Sequence, residues 1–316
     1  MIAVPVIRAF CVCGPTSSGK SDAALAAAEA VGGEIINADS RQVYAGMRIG
    51  TGWPPPEAMS RVPHHLYGFI SPEKRYSAVR FVDDARAAIA GVAQRGRLPI
   101  LVGGTGFYIE ALAGTMPIDR PAGGEELRGR VVREARTHPH ETLRDWLRAL
   151  DPASAARVPS GDRYRTLRAI ESALARRAER IKPDDVAAGS RRSNPDIRLT
   201  TVVLRVARAD LRHRIAERVL AMFAAGLEEE AASVRTRWPN APGLTSIGYA
   251  EALAIEDGAA TRSEAIARTT LRTSQYAARQ ETWFRRFRNA RIVEAGERAA
   301  ALRAVTDAAR ETAGGT

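Results

Sequence analysis

Gly14-Pro15-Thr16-Ser17-Ser18-Gly19-Lys20-Ser21 satisfies the spacing G-x-x-x-x-G-K-[ST], and its residue types describe one chemistry, the holding of linked phosphates. A glycine-bounded loop turns successive backbone N–H groups inward, and a helix starting at its end adds a positive dipole. Lys20 then reaches the outer phosphate, and the Ser21 hydroxyl is placed to hold Mg2+. Gly14, Pro15, Thr16, Ser17, Ser18, Gly19, Lys20 and Ser21 are therefore the expected diphosphate-binding residues, with Ser21 the expected metal ligand. Lys20, Lys74 and Lys182 are the only lysines among 47 basic residues, so a chain otherwise committed to arginine keeps a compact ammonium at this position. The motif specifies a di- or triphosphate and leaves the reaction open.

Two other positions could take part. Asp39 follows a short apolar run, Glu34 to Ala38, and Thr105 follows Leu98 to Gly104. Each has a plain alternative. Asp-Ser is a common turn or capping pair, and Thr105 could cap a helix beginning near Phe107. In a nucleotide hydrolase the strand ending at Val102 would be expected to close on an Asp or Glu that holds Mg2+. Here it ends in Gly-Gly-Thr, which argues against an ordinary ATPase or GTPase.

The elements that must position these residues alternate. Apolar runs at 7–13, 34–38, 98–102 and 199–204 read as buried strands, with a last short strand at 290–293. Helical spacing covers 22–30, 77–95 (Val79, Val82, Ala85, Ile89 and Val92) and about 263–287. This order predicts an α/β fold: a P-loop-containing doubly wound parallel sheet, with ligands at the carboxyl ends of its strands. From Glu125 to Ala188 the chain reads as arginine-rich helices broken at His138-Pro139, Asp151-Pro152 and Pro159 to Asp162. The expected organisation is a P-loop core of 1–118 and 198–316 with C-terminal helices, and a helical insertion domain at 119–197.

The net charge of +11 calls for an acidic partner, with nucleic acid the commonest. Cys11 and Cys13 are the only cysteines. They share one side of a buried strand and read as core packing rather than half of a zinc site. No membrane-spanning run or signal peptide is recognisable, so a reduced, cytoplasmic, monomeric protein is the expectation.

Taken together, further segments carry a resemblance. Asn37-Ala38-Asp39-Ser40-Arg41-Gln42-Val43-Tyr44, Pro63-His64-His65-Leu66, Tyr76-Ser77-Ala78 and Val102-Gly103-Gly104-Thr105-Gly106-Phe107-Tyr108 stand with the P-loop in order. Arg165 to Arg168 with Glu171, Arg214 to Arg218, Gly248-Tyr249 and Arg279 to Arg285 follow. The chain resembles the bacterial tRNA dimethylallyltransferases, also called tRNA isopentenyl transferases, over nearly its whole length. The pair D-S-x-Q-x-Y and V-G-G-T-G-x-Y is far more specific than the P-loop alone.

The resemblance implies transfer of a dimethylallyl group from dimethylallyl diphosphate to N6 of the adenosine 3′-adjacent to the tRNA anticodon, with release of pyrophosphate. It implies catalytic roles for Asp39 and Thr105, Mg2+ as cofactor, and Arg214 or Arg218 as an added diphosphate clamp. Without the resemblance those arginines would read as a solvated helix face. Asp39, Ser40, Arg41, Gln42, Arg128, Tyr164, Arg165, Arg168, Arg279, Gln280 and Arg285 are the implied tRNA-binding residues. Trp283 reads equally as a stacking or a core residue. Ser274 and Ala278 stand where relatives commonly place basic residues, and Val62 to Phe69 lacks an acid that many relatives carry. The alternatives are isopentenyl transfer to free AMP, in which the same sheet takes a nucleotide acceptor, and a P-loop kinase or RNA-dependent NTPase.

Overall fold

Parallel strands covered on both faces need apolar residues on both sides, and the central strands of this chain supply them. The structure, a computed structural model, describes residues 6–116, 118, 124–179 and 197–314. Its strands are β1 (Ile7–Cys13), β2 (Glu34–Asn37), β3 (His64–His65), β4 (Pro99–Gly103), β5 (Ile197–Arg205) and β6 (Arg291–Glu294). They form one wholly parallel sheet in the order β3-β2-β4-β1-β5-β6. Phe10 and Val12 of β1 join Ile100, Val102, Val202 and Leu204 in one apolar cluster. The alternate residues Cys11, Cys13, Leu101 and Val203 are buried on the opposite side. Both cysteines are free thiols in that packing.

Two helices with small faces cover the first side. In α1 (Lys20–Val31), Ala23, Ala24, Ala27 and Ala28 are buried, and they meet Ala301, Val305, Ala308 and Ala309 of the last helix (Arg298–Gly314) in the same cluster. Besides α2 (Pro56–Arg61), the helix α3 (Ala78–Gln94) opens on the Ser77 hydroxyl, which accepts the Arg80 N–H, and buries Phe81, Val82, Ala85, Ile89 and Val92. That spacing is the amphipathic signal legible in the sequence. α3 packs on β1, β2, β4 and the short α4 (Gly106–Leu112).

Two compact units result, one of Met1–Thr115 with Asn194–Thr316 and one of Met116–Ser193. The described part of the second unit contains α5 (Gly124–Ala135), α6 (His140–Leu150), α7 (Pro152–Arg157) and α8 (Arg163–Glu179), packed around Val131, Leu143, Leu147 and Ile170. The helical expectation for 180–188, with Lys182, lies outside the described residues. The first unit continues with α9 (Arg208–Ala224), α10 (Leu227–Arg237), a 3-10 turn (Pro242–Thr245), α11 (Tyr249–Glu256), α12 (Arg262–Phe284) and, after β6, the last helix α13. A capping box of Thr261 and Glu264 starts α12. Among the described residues, no helix is long and apolar enough to cross a membrane.

At the amino end of β2, Glu34 is buried and held by Arg95, whose Nε and Nη2 lie 3.0 and 2.6 Å from its two oxygens, and by His65 Nε2 at 2.7 Å. The Arg95 hydrogen bonds hold the Glu34 carboxyl down at about 2, against an ordinary 4.5, in spite of burial. A depressed carboxyl stabilises fully above its unfolded value and loses that contribution as pH falls toward its folded one. Urea unfolding should therefore show stability falling between pH 4.5 and about 2, and the fall should be smaller in Glu34→Gln. An identical pH dependence in the variant would contradict the assignment.

Candidate active site

The sheet's parallel direction brings three loops to one edge. β1 ends at the P-loop, and in register with it β4 runs into Gly104-Thr105 and β2 into Ala38-Asp39. In the P-loop, Gly14 (φ 155°), Ser17 (φ 63°) and Gly19 (φ 86°) take left-handed conformations, and Gly19 precedes the first turn of α1. A Cβ on Gly14 would also lie 2.9 Å from the Leu204 carbonyl oxygen, so only glycine fits. The Ser17 and Ser18 hydroxyl oxygens are buried without a protein partner.

Two cations converge on this loop. Lys20 Nζ lies 3.3 Å from the Pro15 carbonyl, and Arg218 of α9 donates to Thr16 Oγ1 at 3.2 Å and reaches the Thr51 carbonyl at 3.5 Å. Desolvation pulls the Lys20 ammonium down to about 8, with Arg218 adding to the fall and Asp39 opposing it. Arg218 is lowered for the same primary reason. Cations pressed toward neutrality by burial and by each other gain most from a shared anion. Of the two arginines implied by resemblance, Arg218 is the one on the loop. Arg214 sits one helical turn away and donates to the Gly296 carbonyl at 2.9 Å, on the rim of an outer cavity it shares with Arg218.

Asp39 is fixed from both sides of its backbone. Buried Asn37 accepts the Asp39 N–H at 2.9 Å and donates to the Asp39 and Leu66 carbonyls. Asp39 Oδ1 accepts the Arg41 N–H at 2.8 Å, so the turn that its residue type allowed does form. Oδ2 lies toward Gly104. Thr105 stands at the N-cap position of α4, yet its hydroxyl makes no capping bond. It accepts the Ser40 N–H at 3.0 Å. Tyr67, Tyr108 and Tyr276 are raised mainly by burial, with Asp39 contributing to each, so all three stay protonated around that carboxylate.

Glutamines tie the loops together. Gln42 donates to the Thr51 and Gly52 carbonyls at 3.2 and 2.8 Å, supporting the segment that flanks Arg218. Gln280, expected among the RNA-facing residues, is buried between the P-loop and Gly104 and lines the cavity between them. Trp283 settles as packing, its edge against Gly106 and its ring against Phe107.

Glu230 is a site residue that sequence reading passes over. Its carboxylate accepts the backbone N–H groups of Arg48, Ile49 and Gly50 at 2.9 to 3.1 Å and the Tyr249 hydroxyl at 2.5 Å. The only signal was a Glu in the first turn of a helix. Glu230→Ala would leave three backbone donors unpaired, an expected loss of about 1–3 kcal/mol. Urea unfolding measures it, and an unchanged midpoint would rule out the clasp.

A cavity of about 390 Å³ joins these groups, lined by Lys20, Ser21, Arg218, Asp39, Tyr276 and Arg279 among others. It shares Lys20, Ser21, Gly52, Arg218 and Met222 with the outer cavity of about 1010 Å³, whose lining is more apolar and includes Trp53 and Pro54 to Pro56. Lys20, Ser21 and Arg218 thus face both cavities.

Known proteins are similar to this chain over most of its length. The family model described as IPP transferase matches residues 42–287, and the one described as isopentenyl transferase matches residues 7–65. The tRNA dimethylallyltransferase of Anaeromyxobacter dehalogenans (strain 2CP-C) is 42% identical over 285 residues, covering 89% of this chain and 93% of the relative. The chain belongs to the tRNA dimethylallyltransferase family. A second relative of that name, from Geobacter sulfurreducens, is 40% identical over 86% of this chain and 87% of its own. The full-length tRNA isopentenylpyrophosphate transferase of Bacillus halodurans superposes with a TM-score of 0.69 at 30% identity, covering 97% of this chain and 98% of that one. A eukaryotic dimethylallyltransferase shares the fold at a TM-score of 0.79 and 22% identity, over 94% of this chain and 77% of that one.

As a dimethylallyltransferase family member, the chain presents its other candidate RNA contacts as follows. Arg41, Arg279 and Arg285 are exposed, with Arg279 over the Tyr276 ring. Ser274 turns its hydroxyl back to the Thr270 carbonyl at 2.9 Å, and Ala278 is exposed. In the helical unit, Tyr164 is 63% exposed and Arg165 is exposed beside Asp162, while Arg128 is half-buried. Arg168 is held at 2.5 Å by the buried Glu171, an ion pair internal to α8.

The donors near the loop are hard oxygens. Ser21 is exposed at the start of α1, Ser17 and Ser18 offer buried unpartnered hydroxyls, and no cluster of three or more His, Cys, Asp or Glu exists among the described residues. Such a site fits an ion that is bound chiefly by substrate phosphates and water, as Mg2+ is, rather than by a protein cage.

Proposed function

We propose that this protein transfers the dimethylallyl group of dimethylallyl diphosphate to N6 of the adenosine 3′-adjacent to the tRNA anticodon, releasing pyrophosphate. The observation that carries the reading is one cavity lined by Lys20, Arg218 and Asp39 together, with the Thr105 hydroxyl accepting the N–H of Ser40, the residue after Asp39. The N6 lone pair attacks C1 of the prenyl chain, the C1–O bond breaks, and its electrons leave on pyrophosphate. Lys20, Arg218 and the P-loop N–H groups stabilise that developing charge. Asp39 takes the N6 proton through Oδ2, its other oxygen being held by Arg41 N–H. Thr105 keeps the Ser40 segment in place and presents its hydroxyl beside the amine. Mg2+, held by Ser21 and the diphosphate, would add further charge neutralisation when bound.

The acceptor base must leave its stack to enter a cavity of this size. Arg41, Arg279 and Arg285 would contact phosphates near the opening. The helical unit, with Arg128, Tyr164, Arg165 and Arg168, would grip the anticodon stem. We place the reaction in the cytoplasm and assign it to a monomer. Label transfer from dimethylallyl diphosphate to unmodified tRNA, run beside AMP and a no-acceptor control, tests the reading. Label on the adenosine following the anticodon supports it. Label in AMP alone transfers the protein to the nucleotide-acceptor branch, and ATP turnover with no label points to a kinase or RNA-dependent NTPase.

A further inference from the structure

We propose that Gln280 is a positioning residue that sets the distance between the diphosphate cradle and the acceptor side of the cavity. This rests on the transfer reaction proposed above. Gln280 lies on α12, is only 5% exposed, and makes two hydrogen bonds of opposite sense. Its Oε1 accepts the Thr16 N–H at 2.9 Å, and its Nε2 donates to the Gly104 carbonyl at 2.8 Å. The partners fix which end of the amide is which, since a backbone N–H needs an acceptor and a carbonyl needs a donor. Thr16 also carries Arg218 on its hydroxyl, and Gly104 immediately precedes Thr105, which holds Ser40 beside Asp39. One amide therefore has one end on the donor half and the other on the acceptor half.

The fit is close. A Cβ on Gly104 would lie 2.3 Å from Gln280 Nε2, which explains the second glycine of Val102-Gly103-Gly104-Thr105. Transfer requires the attacking nitrogen and C1 within about 3–3.5 Å, and a displacement of about 1 Å costs on the order of 10²-fold in rate. Gln280 lines the cavity, but both ends of its amide are taken by Thr16 and Gly104, so it acts on the rate through them.

Gln280→Met and Gln280→Glu test this. Met keeps the volume and removes both bonds. A Glu carboxylate can still accept from Thr16 N–H but faces the Gly104 carbonyl without a donor, whereas a protonated Glu reproduces both bonds. Burial and the charge of Asp39 raise such a carboxyl, while Lys20, Arg218 and Arg279, which line the same cavity with Tyr276, oppose that rise. The expected result for Gln280→Met is a kcat roughly 10–100-fold below wild type, with tRNA Kd within about twofold. Gln280→Glu should match Met near pH 8 and regain activity relative to wild type as pH is lowered toward about 6. If Met fails to fold, the pH comparison of Gln280→Glu against wild type decides alone.

Wild-type kcat in both variants would overturn the proposal. So would a Glu-to-wild-type ratio flat across pH, or a tRNA Kd raised about tenfold or more, which would return Gln280 to RNA contact. A wild-type protein that transfers nothing to tRNA would sink the reaction itself, a separate outcome.

Discussion

Asp39→Asn is expected to lower single-turnover transfer by about 10²–10⁴-fold while leaving tRNA affinity nearly unchanged. The choice of Asn follows from the geometry. Its side-chain oxygen can still accept the Arg41 N–H, so the turn that Asp39 builds survives and only the proton acceptor and the charge are lost. Asp39→Ala should be at least as damaging, because it also releases the turn. Single-turnover rates with saturating dimethylallyl diphosphate and pre-bound tRNA separate the chemistry from the indirect effect of Asp39 on Lys20 and Arg218, whose charged forms it favours. Normal turnover of bound tRNA in Asp39→Asn would remove Asp39 from the reaction.

The second large effect is expected at Lys20. Lys20→Met should lower kcat/KM for dimethylallyl diphosphate by about 10²–10³-fold, the scale seen when one preorganised donor to a developing negative charge is removed. It should not change tRNA affinity. The pH dependence is a sharper test. Lys20 is held at about 8 in the free protein, so below that pH the ammonium is ready for the diphosphate, and above it a proton must be taken up on binding. Donor affinity in the wild type should therefore weaken as pH rises through about 8, in excess of the ligand's own titration. Lys20→Met retains only the ligand's part. Calorimetry in buffers of different ionisation enthalpy should detect proton uptake near that pH in the wild type alone. Equal pH profiles for the two proteins would contradict the assignment.

What the sequence revealed and what it withheld divide by range. The P-loop was legible because its conformation is written in adjacent residues: Gly14 and Gly19 take φ values that side chains resist, and Lys20 opens the helix that follows. Asp39 and Thr105 were legible as positions at strand ends, and the parallel register then places them on one edge. Arg214 and Arg218 could not be separated in advance. They lie four residues apart on one helix face, and only the place where α9 crosses the loop puts Arg218, and not Arg214, against Thr16. The work of Glu230 and Gln280 was invisible for a different reason. Their partners, at Arg48 to Gly50 and at Thr16 and Gly104, lie far off along the chain, so no local pattern encodes them. The family resemblance placed Gln280 among the RNA contacts, and only the folded chain shows it buried between Thr16 and Gly104.

The strand order has a consequence during synthesis. β1 is the first strand to be made, yet it lies inside the sheet, between β4 and β5. β4 ends at Gly103 and β5 begins at Ile197, with the helical unit encoded between them. At about 5–20 residues per second, roughly 5 to 20 seconds separate the emergence of the two partners. For that interval the apolar β1 ribbon, Ile7 to Cys13, has one edge open to any passing strand. The nascent chain is therefore most exposed to misassembly while its insertion is being translated, whatever the speed at which that insertion folds.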